Sequence, residues 1–327
     1  MSTKPLVFQS LLADDIRAFI NHKRALNRRY RTEERALHLL DRYLVAGEIH
    51  EACAITPKLI ESFLASRPRS QPRSYNHLLG VTKRLFDWMV AQERIPASPI
   101  CTRARRTTAQ KSPFLFDSGQ VQRLLEAAAG LPDYTLAPLR GETYVMIFTL
   151  LYGLGLRVGE ATRLTCKDVD LKRQLLVIRE TKFSKSRLVP FGPKMGEQIE
   201  EYMKHCAQRR GPLSGESPVF SFTRGRPINR NTITQTFHTL ALGLRLEAPP
   251  GVRAPCAHSM RHSFAVNTLL RWYRAGIDPG KRLIHLSTFL GHVDPASTAV
   301  YLTITADLLR EASHRFEQSA PATLGRT

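Results

Sequence analysis

Residues 96–111 read Pro-Ala-Ser-Pro-Ile-Cys-Thr-Arg-Ala-Arg-Arg-Thr-Thr-Ala-Gln-Lys: four cations, no acid and almost nothing to bury. Such a stretch suits a connector and not the interior of a domain, so the chain is expected to fold as two bodies. The expected division is a helical domain over residues 1–100, a basic linker over 101–114 and a larger domain over 115–327. A chain of 327 residues is long enough for both to bury a core.

The first body reads as helices. Apolar residues recur at helical spacing over 11–26, 32–44, 56–65 and 74–92, with Pro57 at the first turn of the third stretch. In the fourth, Leu78, Leu79, Val81, Leu85, Trp88 and Met89 form the apolar stripe, with Lys83 and Arg84 opposite. The second body opens with Asp117 capping a helix. A buried helix over 143–154 and a short one over 160–165 follow. Two strand-like runs, 175–181 and 187–191, flank a polar tip and predict a hairpin. Further helices are predicted at 194–209, 229–242, 262–273, 281–290 and 306–317. The fold class is mostly α with a small antiparallel sheet.

Charge narrows the partner. Lys and Arg total 48 against 28 Asp and Glu, a formal charge of +20. Residues 1–112 carry 20 basic and 10 acidic groups, the remainder 28 and 18, so both bodies carry a net charge of +10. A polyanion is the expected partner, nucleic acid before an anionic membrane. The longest apolar run, 144–156, is too short to span a bilayer. The first fifteen residues lack the pattern of a signal peptide, and a cytoplasmic location, on the nucleoid when bound to DNA, is expected. Five scattered cysteines at 53, 101, 166, 206 and 256 read as reduced thiols. No metal site and no cofactor are expected, because His258, His262 and His292 have no carboxylate or thiol partner at ligand spacing.

Five separated segments carry groups suited to phosphodiester chemistry: Gly155-Leu-Arg157-Val-Gly-Glu160; Lys182 within the hairpin tip; His258-Ser-Met-Arg261-His262; Leu290-Gly-His292; and Tyr301 nine residues later. Each alone has an ordinary structural reading: a surface arginine, a solubilising lysine, a half-buried tyrosine. In this order and spacing the set resembles the tyrosine recombinases, the phage-integrase family, over roughly 117–317. The first body resembles the family's core-binding domain more loosely, through Arg73-Ser-Tyr and Phe86-Asp-Trp88. The resemblance implies a SAM-like helical core-binding domain and a catalytic domain of the DNA breaking-rejoining fold, closing on the duplex as a C-shaped clamp.

The resemblance also implies roles. Tyr301 attacks a DNA phosphodiester and forms a 3′-phosphotyrosine bond, without metal or ATP, and a 5′-hydroxyl later reverses the step. Arg157 and Arg261 offer permanent cations to the phosphate oxygens, and His292 donates to them. Lys182 is the expected general acid, with Lys185 as its competitor. His258 is expected to accept or manage the tyrosine proton, and Glu160 to orient His258 or an arginine, unless it is a plain surface pair with Arg157. His262 and His285 read as packed residues, and Trp88 and Trp272 as core. Arg103, Arg105, Arg106, Lys111, Lys83 and Arg84 are the expected DNA contacts outside the site.

The implied partner is duplex DNA with inverted-repeat half-sites, held by a homo-tetramer or by a hetero-tetramer with related recombinases. Residues 306–317 are expected to dock on a neighbouring protomer, the alternative being packing on their own domain. The segment 271–288 lengthens the gap between Arg261 and His292 relative to the common family pattern, which points toward a mobile-element recombinase and away from a chromosome-dimer resolvase. Two rivals remain: a type IB topoisomerase that nicks and reseals one duplex, and a catalytically silent DNA-binding regulator of the same fold.

Overall fold

The computed structural model describes residues 6–28, 30–107, 111–179, 186–223, 225–292, 294–303 and 310. The chain divides into two compact units, Met1–Gln110 and Lys111–Thr327. The expected positions Lys182, Lys185 and nearly all of 306–317 lie outside the described residues.

Among the described residues the first unit holds four α-helices, α1 (Ala13–Ala25), α2 (Arg31–Ala46), α3 (Pro57–Ala65) and α4 (Pro72–Ala91). Helix α3 starts where the Thr56 side chain accepts the Leu59 N–H and Pro57 sets the first turn. The inward stripes meet in one core, with Ile16, Phe19, Leu37, Leu40, Leu44, Phe63, Val81 and Leu85 buried. Asp41 is the buried charged group among the described residues of this unit, and its carboxylate accepts the backbone N–H groups of Gln9 and Ser10. That pins the segment before α1 to α2, because an unpaired carboxylate in such a core would be costly.

Part of the expected linker is docked on this unit. Asn76 exchanges two hydrogen bonds with the backbone of Arg105, at 2.7 Å each. The Arg105 guanidinium lies 3.8 Å from the Tyr75 ring centroid and donates to the Arg69 carbonyl. A cation over an aromatic face keeps its outer edge in water. Lys83 is paired with Asp87 one turn on, and the Arg84 Nε lies 3.5 Å from the Tyr30 hydroxyl. Arg103, Arg106 and Lys111 are exposed.

The second unit begins with α5 (Ser118–Ala129), whose Asp117 and Gln120 form a reciprocal capping box. Helix α6 (Arg140–Gly153) is buried on several faces, as its near-continuous apolar sequence requires. The four-residue α7 (Val158–Ala161) follows directly. Strands β1 (Val169–Asp170), β2 (Leu175–Ile178) and β3 (Arg187–Pro190) form an antiparallel sheet in which Leu176 faces Val189 and Ile178 faces Arg187. Next come α8 (Pro193–Arg210), a short hairpin of β4 (Ser221–Thr223) and β5 (Arg226–Pro227), and α9 (Arg230–Gly243). Helices α10 (Ala257–Arg274), α11 (Pro279–Leu290) and α12 (Ala296–Ala299) lead into a 3-10 turn, Val300–Thr303.

The main core of this unit gathers Leu124, Ile147, Phe148, Leu151, Leu176, Val189, Phe220, Phe237 and Met260. A second cluster of Ala265, Val266, Leu269, Leu286, Leu290 and Tyr301 ties α10, α11 and the final turn together. Helix α10 starts five residues earlier than its apolar period predicts, because its first turns carry polar side chains that serve the site and not the core.

Candidate active site

Helix α11 ends where Gly291 takes the left-handed conformation, φ +67°. The N–H of Gly291 then bonds to the Thr288 carbonyl and that of His292 to the Ser287 carbonyl, which closes two of the helix's open acceptors. The next three carbonyls each receive an arginine. Arg187 Nε donates to Phe289 at 2.7 Å, Arg261 Nη2 to Leu290 at 2.5 Å and Arg157 Nη2 to Gly291 at 2.9 Å. Three guanidinium groups thus converge on the partly negative end of one helix.

Glu160 binds the same three groups from the other side. Its carboxylate takes both terminal nitrogens of Arg187, at 2.9 and 2.8 Å, and Arg157 Nη1 at 2.7 Å, and Arg261 Nη1 lies 3.9 Å away. The Arg157 N–H also donates to it, at 2.9 Å. The side chains of Arg157, Arg187, Arg261 and Glu160 are 31%, 8%, 1% and 2% exposed. Glu160 is therefore the buried counter-ion of an arginine cluster; of the two expected readings, the surface pair is excluded. Burial alone would raise its pKa, but the hydrogen bonds and charge of Arg187, with those of Arg157, hold it at about 2. Three cations against one carboxylate leave the cluster formally +2, so an anion is attracted to it.

Backbone turns deliver two of these arginines. Gly155 adopts φ +61° after α6, its carbonyl accepts Arg261 Nη1 at 2.7 Å, and a Cβ there would lie 2.6 Å from the Phe264 ring. At Gly291 a Cβ would stand 2.9 Å from Arg187 Nη1. Gly291→Ala should cost about 1–2 kcal/mol from backbone conformation alone, and more through the displaced guanidinium. A thermal melt should show the lost stability, and a gel assay of covalent DNA attachment should show a slower reaction.

The remaining groups form a histidine and tyrosine layer on the cluster. His258, Arg261 and His262 share one face of α10, one turn apart. The rings of His258 and His262 meet edge to face at 4.6 Å. His262 Nδ1 lies 2.7 Å from the Tyr301 hydroxyl, and the His292 ring is near parallel to that of Tyr301 at 6.4 Å. The Thr298 hydroxyl lies 2.7 Å from His292 Nδ1. A Thr298 O–H donating there leaves the proton of the neutral ring on Nε2. Tyr301 itself is buried.

Electrostatics follow from this layering. Burial and then Arg261 and Arg157 push His258 down to about 4, and burial and Arg261 do the same to His292, also to about 4. Burial, His258 and Arg261 lower His262 to about 3. All three imidazoles are therefore neutral at pH 7, able to donate one proton and accept one. Burial and the neighbouring Arg157 bring Arg261 down to about 9, still charged at pH 7. Burial raises the Tyr301 phenol, and the charges of Arg261 and Arg157 partly offset that. Among the described residues no group of three or more His, Cys, Asp or Glu is arranged to hold a metal ion.

The structure thus brings together Arg157, Glu160, His258, Arg261, His292 and Tyr301. Sequence reasoning missed two members. Arg187 reads as a strand end, yet strand parity marks it: Val189 faces the core, Leu188 faces solvent, so Arg187 points inward and needs a counter-charge. His262 reads as a packed residue, although its place one turn after His258 puts it on the same helix face as Arg261.

Comparison with known proteins bears on the whole chain. The model of the phage integrase family matches residues 115–307. A Sinorhizobium fredii protein named as an integrase/recombinase, y4rB, is 35% identical over 308 residues, covering 93% of this chain and 96% of that one. The tyrosine recombinase XerD of Ralstonia nicotianae is 29% identical over 257 residues, 77% of this chain and 76% of its own. Among solved structures, the Tn1549 transposon integrase in complex with transposon right end DNA superposes with a TM-score of 0.65 at 16% identity, covering 96% of this chain and 100% of that chain. A lambda integrase dimer bound to a COC′ core site gives 0.62 at 16% identity, covering 89% and 76%. At such identities the structural likeness speaks for the fold.

Proposed function

Because the chain belongs to the phage integrase family of site-specific DNA recombinases, we propose that it cuts and rejoins duplex DNA through a covalent bond between Tyr301 and a 3′-phosphate. The observation that carries this reading is the convergence of Arg157, Arg187 and Arg261 on the end of α11, with the Tyr301 phenol in the same subunit. The charges of Arg157 and Arg261 act on that phenol directly.

The chemistry follows from charge. In-line attack by a phenol places negative charge on the non-bridging oxygens of phosphorus. Preorganised cations aimed at that charge cost no reorganisation during the reaction, so they lower the barrier efficiently. Arg157, the most exposed of the three, is the one an incoming phosphate meets first. Arg261 and Arg187 supply field from behind, held in place by backbone carbonyls and Glu160. His292, set by Thr298, is assigned to offer its Nε2 proton to the same oxygens, and His258, whose ring meets that of His262, is a second neutral donor. The leaving 5′-oxygen needs a proton, and Lys182 is the residue assigned to it. A lysine with its usual pKa of about 10.4 is charged at pH 7 and able to donate. The phosphotyrosine bond keeps the phosphodiester energy, so a second 5′-hydroxyl can rejoin the strand without ATP.

Both units contribute cations to the duplex, and binding is dominated by phosphate contacts. In the first unit, Arg105 on the Tyr75 face, together with Arg103, Arg106, Lys83 and Arg84, is assigned to DNA. The assembly proposed is four protomers on two duplexes with inverted-repeat half-sites, serving a mobile element. No helix among the described residues is long and apolar enough to cross a membrane.

The test uses a nicked duplex built around the site that the protein selects from random-sequence DNA, so that the cut strand's end diffuses away. In EDTA a covalent adduct should accumulate at the same rate as with magnesium. An adduct that forms only with a divalent metal contradicts the arginine-based mechanism.

A further inference from the structure

The fate of the Tyr301 proton is the step the family reading leaves to His258, and the structure places a different group on it. Resting on the reading of Tyr301 as nucleophile, we propose that His262 is a catalytic residue whose Nδ1 accepts the phenolic proton during attack on phosphorus. The phenol oxygen lies 2.7 Å from that nitrogen. Among the described residues no other side chain hydrogen-bonds to the phenol. His258 instead presents its ring to His262 at 81°, so it borders the base and not the nucleophile.

The step balances. The Tyr301 oxygen bonds to phosphorus as the bond from phosphorus to the 5′-oxygen breaks. The phenolic proton passes to His262 Nδ1, and the departing oxygen takes a proton from the acid assigned to Lys182. On rejoining, a 5′-hydroxyl attacks, and the imidazolium at 262 returns its proton to the leaving phenolate. A base must be unprotonated before it acts. His262 is kept so by burial and by the groups around it: His258 and Arg261 on its own helix, Arg253 on the preceding loop and His292 after α11, with the Tyr301 phenol in front. The same cations make an empty site a poor base. An entering phosphodiester brings negative charge beside them and raises the basicity of the imidazole, because a nearby anion favours its protonated form. Proton abstraction is thereby coupled to the presence of DNA, and the phenol stays protonated and buried without it.

His262→Asn separates accepting a hydrogen bond from accepting a proton, since the Asn Oδ1 falls near the position of Nδ1 but is not a base. With the selected nicked duplex in EDTA, the variant should bind DNA as the parent does. Its first-order adduct rate at pH 7 should fall about 100-fold, the lower range for loss of a general base. The deficit should shrink as pH rises and when a fluorinated, more acidic tyrosine is installed at 301. His262→Gln, which keeps a polar side chain of similar size without a basic nitrogen, is the second variant if Asn lowers the thermal midpoint. An Asn or Gln variant that cleaves at the parental rate or faster overturns the proposal. So does a deficit that is equal at every pH and indifferent to the acidity of the phenol, because that is the signature of a merely structural residue. If the parent forms no adduct, or Tyr301→Phe still forms one, the nucleophile reading fails instead.

Discussion

Tyr301→Phe should abolish covalent attachment to DNA while leaving DNA affinity unchanged. The substitution removes the phenolic oxygen and nothing else, and the buried ring keeps its packing against α10 and α11. A lost nucleophile typically costs on the order of 10⁴–10⁶ in rate, so no adduct should be visible on a denaturing gel at times when the parent reaction is complete. The lost contact to His262 is one hydrogen bond, about 0.5–1.5 kcal/mol, too little to unfold the domain. Gel-shift titration against the selected duplex should therefore give the parental affinity. Equal adduct formation by the variant would mean that another side chain attacks.

Glu160→Ala is expected to destabilise the second unit strongly. It leaves Arg187 and Arg261 buried without their counter-ion, and breaking a buried ion pair by removing one partner costs about 3–5 kcal/mol. Arg157 would lose the carboxylate that accepts from both its Nη1 and its backbone N–H. The pH dependence has a definite sign. The Glu160 carboxyl is held at about 2 against an ordinary 4.5, so its contribution is complete above pH 4.5 and is lost as pH falls toward 2. The difference in thermal midpoint between parent and variant should be flat above pH 5 and should narrow below it. A variant with the parental midpoint at pH 7 would show that the arginines are held by the α11 carbonyls alone.

Much of this architecture was readable in the residues. The helical stripes of the first unit are regular because each helix buries one face, and the Asp117 and Gln120 capping pair marks α5 directly. Arg157, His258, Arg261, His292 and Tyr301 stand out because their order and spacing recur as a set. What escaped was set by tertiary pairing. Strand β1 and the hairpin of β4 and β5 are two or three residues long, below the length at which alternation becomes a pattern. The first turns of α10 are polar because they face the site, so hydrophobic periodicity underestimates that helix. Arg187 looked like an ordinary charged strand end until its register opposite Ile178 placed it inside. Arg105 reads from sequence as a DNA contact on a basic linker, and only the fold brings Tyr75 and Asn76 under it. Glu160 reads from spacing as a carboxylate that orients His258 or an arginine or, nearly as well, as a surface pair with Arg157, and burial excludes the second.

The central claim is that the oxygen of Tyr301 becomes bonded to phosphorus. The most direct measurement is to trap the adduct on the nicked duplex, trim the DNA with nuclease, digest with protease and sequence the nucleotide-bearing peptide by mass spectrometry. The modification is expected on Tyr301, as a tyrosine ester of a 3′-phosphate. A nucleotide found on any other residue, or attached through a 5′-phosphate, would contradict the account.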